Sequence, residues 1–232
     1  MTEGAWSQLW RSRQVSASGL QLADLLRADG FDTDFAKLSE DSWRGFVSAC
    51  ALRWSVGPGD SVFEVGSGAG AFSYVLSEMG VKVGGLDISE RLVELAKAAI
   101  PTGEFAVGEA RFTPTEPKWD AVVAMGVFMY FADLAYAEEV LARMARKARR
   151  VVALLDLPDL AKKDEAEAWR RSVIGKEIYE ERYQDLPHLY FSKTWAAEAL
   201  TAAGLKDICI EDQFLDPYPN GAFRFNAWGF LH

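Results

Sequence analysis

Apolar residues recur along the chain with two different periods, and the change of period divides it into three zones. Up to about residue 55 the spacing is helical: Trp6, Leu9 and Trp10, then Leu22, Leu25 and Leu26, then Trp43, Phe46, Val47, Cys50 and Trp54. Gly30 and the run Asp32-Thr33-Asp34 interrupt the pattern, and Val56-Gly57-Pro58-Gly59-Asp60 ends the zone in a sharp turn. From Ser61 to about Asp156 short apolar runs alternate with helical patterns. Runs 61–65, 81–86, 103–107, 119–125 and 150–155 predict strands, and 71–79, 89–99 and 135–148 predict helices. Such alternation predicts a parallel sheet with crossover helices, an α/β doubly wound fold.

The third zone opens at Leu157. A charged helical segment, 159 to about 183, precedes Leu186-Pro187-His188-Leu189-Tyr190-Phe191. An amphipathic helix from 192 or 193 to 203 follows, closed by Gly204, and then two strands at 207–214 and 223–231. The turn Asp216-Pro217-Tyr218-Pro219-Asn220-Gly221 between them predicts an antiparallel hairpin at the sheet edge. The expected organisation is an N-terminal helical cap over 1–55 and one domain over 56–232, with an insertion at about 158–191 that contributes to the functional site.

Composition narrows the function. Half of the 232 residues are hydrophobic and 25% are charged, enough for one buried core and too apolar for wholesale disorder. Acidic residues outnumber basic ones 34 to 25, a net charge of -9, so nucleic-acid binding as the main activity is disfavoured. The basic run Arg143, Arg146, Lys147, Arg149 and Arg150 lies at a helix end, where cations complement the dipole. Cys50 and Cys209 lack metal-ligand spacing, so neither a zinc site nor a disulfide scaffold is expected. No apolar run reaches about 18 residues, and Met1-Thr2-Glu3-Gly4-Ala5 has no charged leader start. A cytoplasmic, soluble protein without a membrane partner is expected, with homodimerisation left open.

The informative stretch is Val62-Phe63-Glu64-Val65-Gly66-Ser67-Gly68-Ala69-Gly70-Ala71, a strand delivered into a glycine-rich turn from which a helix starts. Glycines serve where a turn takes positive φ and a ligand must approach the backbone. Gly66-x-Gly68-x-x-Ala71 also fits the dinucleotide-binding pattern, and Asp87, 21 residues after Gly66, could accept ribose hydroxyls in either case. Glu64 breaks the tie. An acid at the strand's carboxyl end suits an ammonium group better than a pyrophosphate.

With Glu64, Gly66, Gly68 and Gly70 filling acid-x-Gly-x-Gly-x-Gly, the stretch resembles motif I of class I S-adenosylmethionine-dependent methyltransferases. The resemblance extends through Gly84-Gly85-Leu86-Asp87-Ile88-Ser89, Phe105-Ala106-Val107-Gly108-Glu109-Ala110 and Trp119-Asp120-Ala121-Val122-Val123-Ala124. It implies a mostly parallel seven-stranded sheet with an antiparallel last strand, and S-adenosylmethionine as cofactor. It also implies roles. Gly66, Gly68 and Gly70 would admit the cofactor's tail, Glu64 would hold its ammonium, and Asp87 would hold the ribose hydroxyls. Ile88 would pack on the adenine, Glu109 and Ala110 would meet the adenine edge, and Met125 would lie beside the cofactor at the end of strand four.

The loop Met125-Gly126-Val127-Phe128-Met129-Tyr130-Phe131 lacks the Asn/Asp-Pro-Pro-Tyr sequence of DNA-adenine and glutamine methylating members. It also lacks the strand-end acid of metal-dependent members. No metal is therefore expected, and Asp156 and Asp159 are read first as caps. Trp6, Trp10, Phe128, Tyr130, Tyr183, Tyr190, Trp195, Tyr218 and Phe223 are candidates for a lid over the carboxyl edge. His188, beside the terminal His232 the only histidine, is the expected general base, and Tyr130 the group that orients the acceptor. The expected function is methylation of a small molecule, at oxygen before nitrogen, in natural-product or specialised metabolism. The alternatives are an NAD-dependent oxidoreductase using the same turn and a non-catalytic S-adenosylmethionine-binding module.

Overall fold

The computed structural model describes residues 5–12, 20–31, 33, 35–183 and 186–232. Asp32 and Asp34, read above as helix breakers, lie outside the described residues. Three helices come first: α1 (Ala5–Ser12), α2 (Leu22–Ala28) and α3 (Glu40–Arg53). Ser39 caps α3 by accepting the Ser42 N–H. The alternating region follows as β1 (Ser61–Val65), α4 (Ala71–Glu78), β2 (Lys82–Asp87), α5 (Glu90–Ala99), β3 (Glu104–Val107), β4 (Trp119–Met125), α6 (Leu134–Lys147) and β5 (Ala148–Pro158). The charged segment forms two helices, α7 (Lys163–Ile174) and α8 (Lys176–Tyr183), broken at Gly175 with φ 88°. Then come α9 (Lys193–Ala202), β6 (Lys206–Asp212) and β7 (Arg224–Phe230).

The seven strands form one sheet in the order β3-β2-β1-β4-β5-β7-β6. Pairs among β1 to β5 are parallel, and β7 runs antiparallel to both β5 and β6. The last two strands do pair antiparallel, but the expected hairpin at the edge is corrected in one respect. β7 inserts between β5 and β6, so β6 is the edge strand. The burial of the two strands fits this, β7 being almost wholly buried and β6 only partly so.

Helices cover both faces, and the strands show it in period two. Ala121, Val123 and Met125 of β4 join Val151, Ala153 and Leu155 of β5 in a core with α2 to α5. Val122, Ala124, Val152 and Leu154 face the other way, into a core with α6 and α9. Helices α2 and α3 share the first core with the sheet. Trp43 packs at 6.3 Å from Phe72 of α4, and its indole N–H donates to the Ala71 carbonyl. The order reverses between β1 and β4, which opens the crevice where ligands sit in such sheets.

Candidate active site

The turn after β1 is held in a shape that only glycine takes without strain. Gly66, Gly68 and Gly70 have φ of 74°, 52° and 87°. The Gly66 and Ser67 N–H groups both donate to the Leu86 carbonyl, at 2.7 and 3.1 Å, which ties the turn to β2. A Cβ on Gly66 would lie 2.6 Å from Val127 Cγ2, and one on Gly68 would lie 2.2 Å from Asp29 Oδ1. The turn is thus approached closely by the loop after β4 and by the end of α2.

Three carboxylates converge on it. Asp87 accepts from the Gly68 N–H and the Ser89 N–H, both at 2.8 Å, bracing the turn and the start of α5 together. Ser89 itself is the cap of α5. Asp29 accepts from the Ala69 and Ala71 N–H groups at 2.6 and 3.2 Å, at the positive end of α4. Glu64 is buried and accepts from the Ser73 hydroxyl at 2.7 Å. Burial, with the charges of Asp29 and Asp87, holds its carboxyl well above the usual range. Burial also raises Asp87, against the N–H groups that favour its charged form. One buried acid beside two half-buried ones, whose charges repel, can accommodate a cation.

The other expected cofactor residues lie at the neighbouring strand ends. The Gly108 N–H donates to the Asp87 carbonyl at 2.8 Å, so the end of β3 flanks Asp87. Glu109 accepts from Tyr136 Oη at 3.0 Å and forms an ion pair with Arg111, Nε to Oε1 2.9 Å, and Ala110 opens a single 3-10 turn beside it. Ile88 is half-buried after β2, and Met125 is buried at the end of β4 on the α2 to α5 side.

Beyond β4 several of the aromatic lid candidates cluster. Trp6 of α1 stacks on His188, with centroids 4.9 Å apart and planes at 11°, and lies 4.6 Å from Tyr130. Trp10 is 5.5 Å from Tyr130, and the Trp6 indole N–H donates to the Pro187 carbonyl. Tyr183 packs with Phe35 and Phe223 with Trp169. Two other lid candidates sit elsewhere. Phe128 is buried against Phe131 and Phe191, and Trp195 packs on Phe191 while donating to Glu138.

Next to His188 lies a buried polar cluster. Asp156 occupies a bulge at the end of β5 with φ 62°, a conformation that L side chains rarely adopt. It accepts from the Tyr218 hydroxyl at 3.0 Å and from Gln213 Nε2 at 3.1 Å, while Asp159 caps the next turn by accepting the Ala161 N–H. The capping role expected for both acids therefore falls to Asp159 alone. Arg224 donates to the Asp156 carbonyl at 3.3 Å, and Arg170 donates to Asn220 Oδ1 at 3.2 Å and to His188 Nδ1 at 3.0 Å. A guanidinium can only donate, so His188 carries its proton on Nε2. Burial, Arg170 and Arg224 hold the ring's pKa well below its usual value. A neutral ring with its lone pair covered is a hydrogen-bond donor, which does not fit the base role expected of His188.

Asp29, Arg170, Arg224 and Asp156 were not singled out for these positions by the sequence. Arg224 left a signal, a lone cation opening an apolar strand. Arg170 left none that separates it from Arg171, which pairs with Glu167 on the surface.

The comparisons agree with this geometry. A family model described as a methyltransferase domain matches residues 62–151. Residues 62–151 are similar to that domain. The whole fold is that of the class I S-adenosylmethionine-dependent methyltransferases, whose cofactor is S-adenosylmethionine. Magnesium protoporphyrin IX methyltransferase (ChlM) from Synechocystis PCC 6803, solved with bound SAH, superposes with a TM-score of 0.64 at 16% identity over 98% of this chain and 93% of that one. An S-adenosylmethionine-dependent methyltransferase from Clostridium acetobutylicum gives 0.59 at 10% identity over 84% and 93%. DesVI from Streptomyces venezuelae gives 0.61 at 14% identity over 91% and 99%. A comparison with curated protein sequences finds no match. Among the described residues no helix is long and apolar enough to cross a membrane.

Proposed function

We propose that the protein transfers the methyl group of S-adenosylmethionine to a small-molecule acceptor, at oxygen in preference to nitrogen, in specialised metabolism in the cytoplasm. One juxtaposition carries the reading. The acid-lined glycine turn and the lid of Trp6, Trp10, Tyr130 and His188 meet across one short loop. Val127 touches Gly66, and three residues later Tyr130 meets Trp6.

The bound cofactor supplies a methyl group on a cationic sulfur, already activated, so the chain's task is largely placement. Glu64 and Asp29 present negative charge to the ammonium of the tail. Asp87 offers the ribose hydroxyls the lone pairs that Gly68 and Ser89 leave free, since each carboxylate oxygen accepts more than one bond. Ile88, Ala110 and Met125 line the adenosine side, with Glu109 at its edge. On the acceptor side Tyr130 and the His188 Nε2–H orient the nucleophile, while the tryptophans exclude water. An acceptor proton then leaves to water rather than to His188.

Turnover of S-adenosylmethionine against a panel of phenols, carboxylic acids and amines, read as S-adenosylhomocysteine formed, tests the proposal. Acceptor-dependent product with an oxygen nucleophile supports it. Tight cofactor binding without turnover on any acceptor would favour the non-catalytic module instead.

A further inference from the structure

Two guanidinium groups lie buried in the cluster under the lid, and their charges are not balanced there. Arg170 and Arg224 are each only 3% exposed. The partners of Arg170 are neutral: the Asn220 carbonyl and the His188 ring, held uncharged by its surroundings. The acid beside Arg224 is Asp156, at 3.9 Å, whose carboxylate also serves Tyr218 and Gln213. The Nε–H of both arginines has no hydrogen-bond partner among the described residues. Both charges reach the same ring, since both depress His188, and both act on Tyr190. Arg224 is felt at Tyr130 as well.

An unpaired buried guanidinium is costly to a fold, because little compensates its lost hydration. Two such cations against one carboxylate, with two free N–H donors, is a receptor short of one negative charge. Arg170 and Arg224 come from α7 and β7, far apart in sequence, and meet beside His188, on which the Trp6 lid stacks. The Asp156 carboxylate lies 3.9 Å from where a Cβ on Gly126 would be, and the next residue, Val127, covers Gly66 of the cofactor turn. The cluster therefore adjoins the place where the methyl group is delivered.

We propose that the acceptor carries a carboxylate, which Arg170 and Arg224 hold through their free N–H groups. The inference rests on the methyltransferase reading above and names its substrate class. A monoanion fits the imbalance. A phosphate dianion overshoots it and is repelled by Asp156. A neutral acceptor leaves one guanidinium charge unanswered.

The Nε–H resonances of the arginines read this directly. In the presence of saturating S-adenosylhomocysteine, the signals of Arg170 and Arg224, assigned with Arg170→Lys and Arg224→Lys, are followed while benzoate, benzamide or phenyl phosphate is added. Benzoate is expected to shift both signals saturably, and the other two to leave them in place. Arg170→Met, with S-adenosylhomocysteine affinity unchanged, is expected to weaken benzoate about 10- to 100-fold, the loss of a charge-assisted pair. Signals unmoved by benzoate, or moved equally by benzamide, would overturn the proposal and leave the arginines as internal struts. Preference for phenyl phosphate would overturn it in favour of a phosphorylated acceptor. Failure of S-adenosylhomocysteine to bind in the same samples would instead count against the methyltransferase reading.

Discussion

The two oxygens of Asp87 brace the glycine turn and the start of α5, and the proposed function gives their remaining lone pairs to the ribose hydroxyls. Asp87→Ala is expected to weaken S-adenosylmethionine binding by about 10- to 100-fold, from the loss of charge-assisted bonds of about 1.5–3 kcal/mol. Calorimetry giving unchanged affinity in a folded mutant would remove Asp87 from the site. His188 carries the opposite lesson. Its place between α8 and α9 was legible, but its chemistry was not, because the cation on Nδ1 comes from Arg170, 18 residues away and on another element. With that ring neutral and its lone pair covered, kcat/KM is expected to show no His188 ionisation near pH 6–7. A single ionisation there that vanishes in His188→Ala would restore the base role. Asp29, Arg170 and Arg224 escaped the sequence for the same physical reason. Local pattern records which residues face inward, not which charges meet there.

At the scale of elements the local patterns were far more legible. The runs at 61–65 and 119–125 became β1 and β4 with the same limits, because alternation and flanking turns mark both ends. The pairing of β7 between β5 and β6 was not legible, since both partners are antiparallel to it and the turn alone does not choose the inner strand. The basic run also resolved at this scale. Lys147 is buried and donates to the Pro114 and Pro117 carbonyls, while Arg149 and Arg150 pair with Asp120 and Asp60. Helix α1 brings Trp6 against Tyr130 and His188, and Trp10 against Tyr130 and the core that includes β1, β4 and β5. Deleting residues 1 to about 18 is expected to leave S-adenosylhomocysteine binding largely intact and to abolish turnover. Full activity of the truncated chain would show that α1 has no part in the acceptor site.

At the scale of the whole molecule, the raised pKa of Glu64 and the depressed pKa of His188 make stability depend on pH. Glu64 is raised by burial first, then by Asp29 and Asp87, so the free protein holds a proton that the unfolded chain releases near pH 4.3. Its contribution to stability is present below that value and is lost as pH rises through the raised folded pKa. His188 acts in the other direction. Its depressed pKa costs stability as pH falls below about 6.5, where the unfolded chain gains a proton first. An ammonium beside Glu64 favours the carboxylate, so S-adenosylhomocysteine affinity is expected to rise with pH through the raised pKa, by up to about 10-fold per unit. Glu64→Gln should flatten that slope, and a pH-independent affinity in the native protein would separate Glu64 from the ammonium. The most direct test of the central claim is calorimetric titration of the full chain with S-adenosylhomocysteine and, separately, with NAD. Saturable binding of S-adenosylhomocysteine at a single site with no heat from NAD is the expected result; binding of NAD without S-adenosylhomocysteine would contradict it.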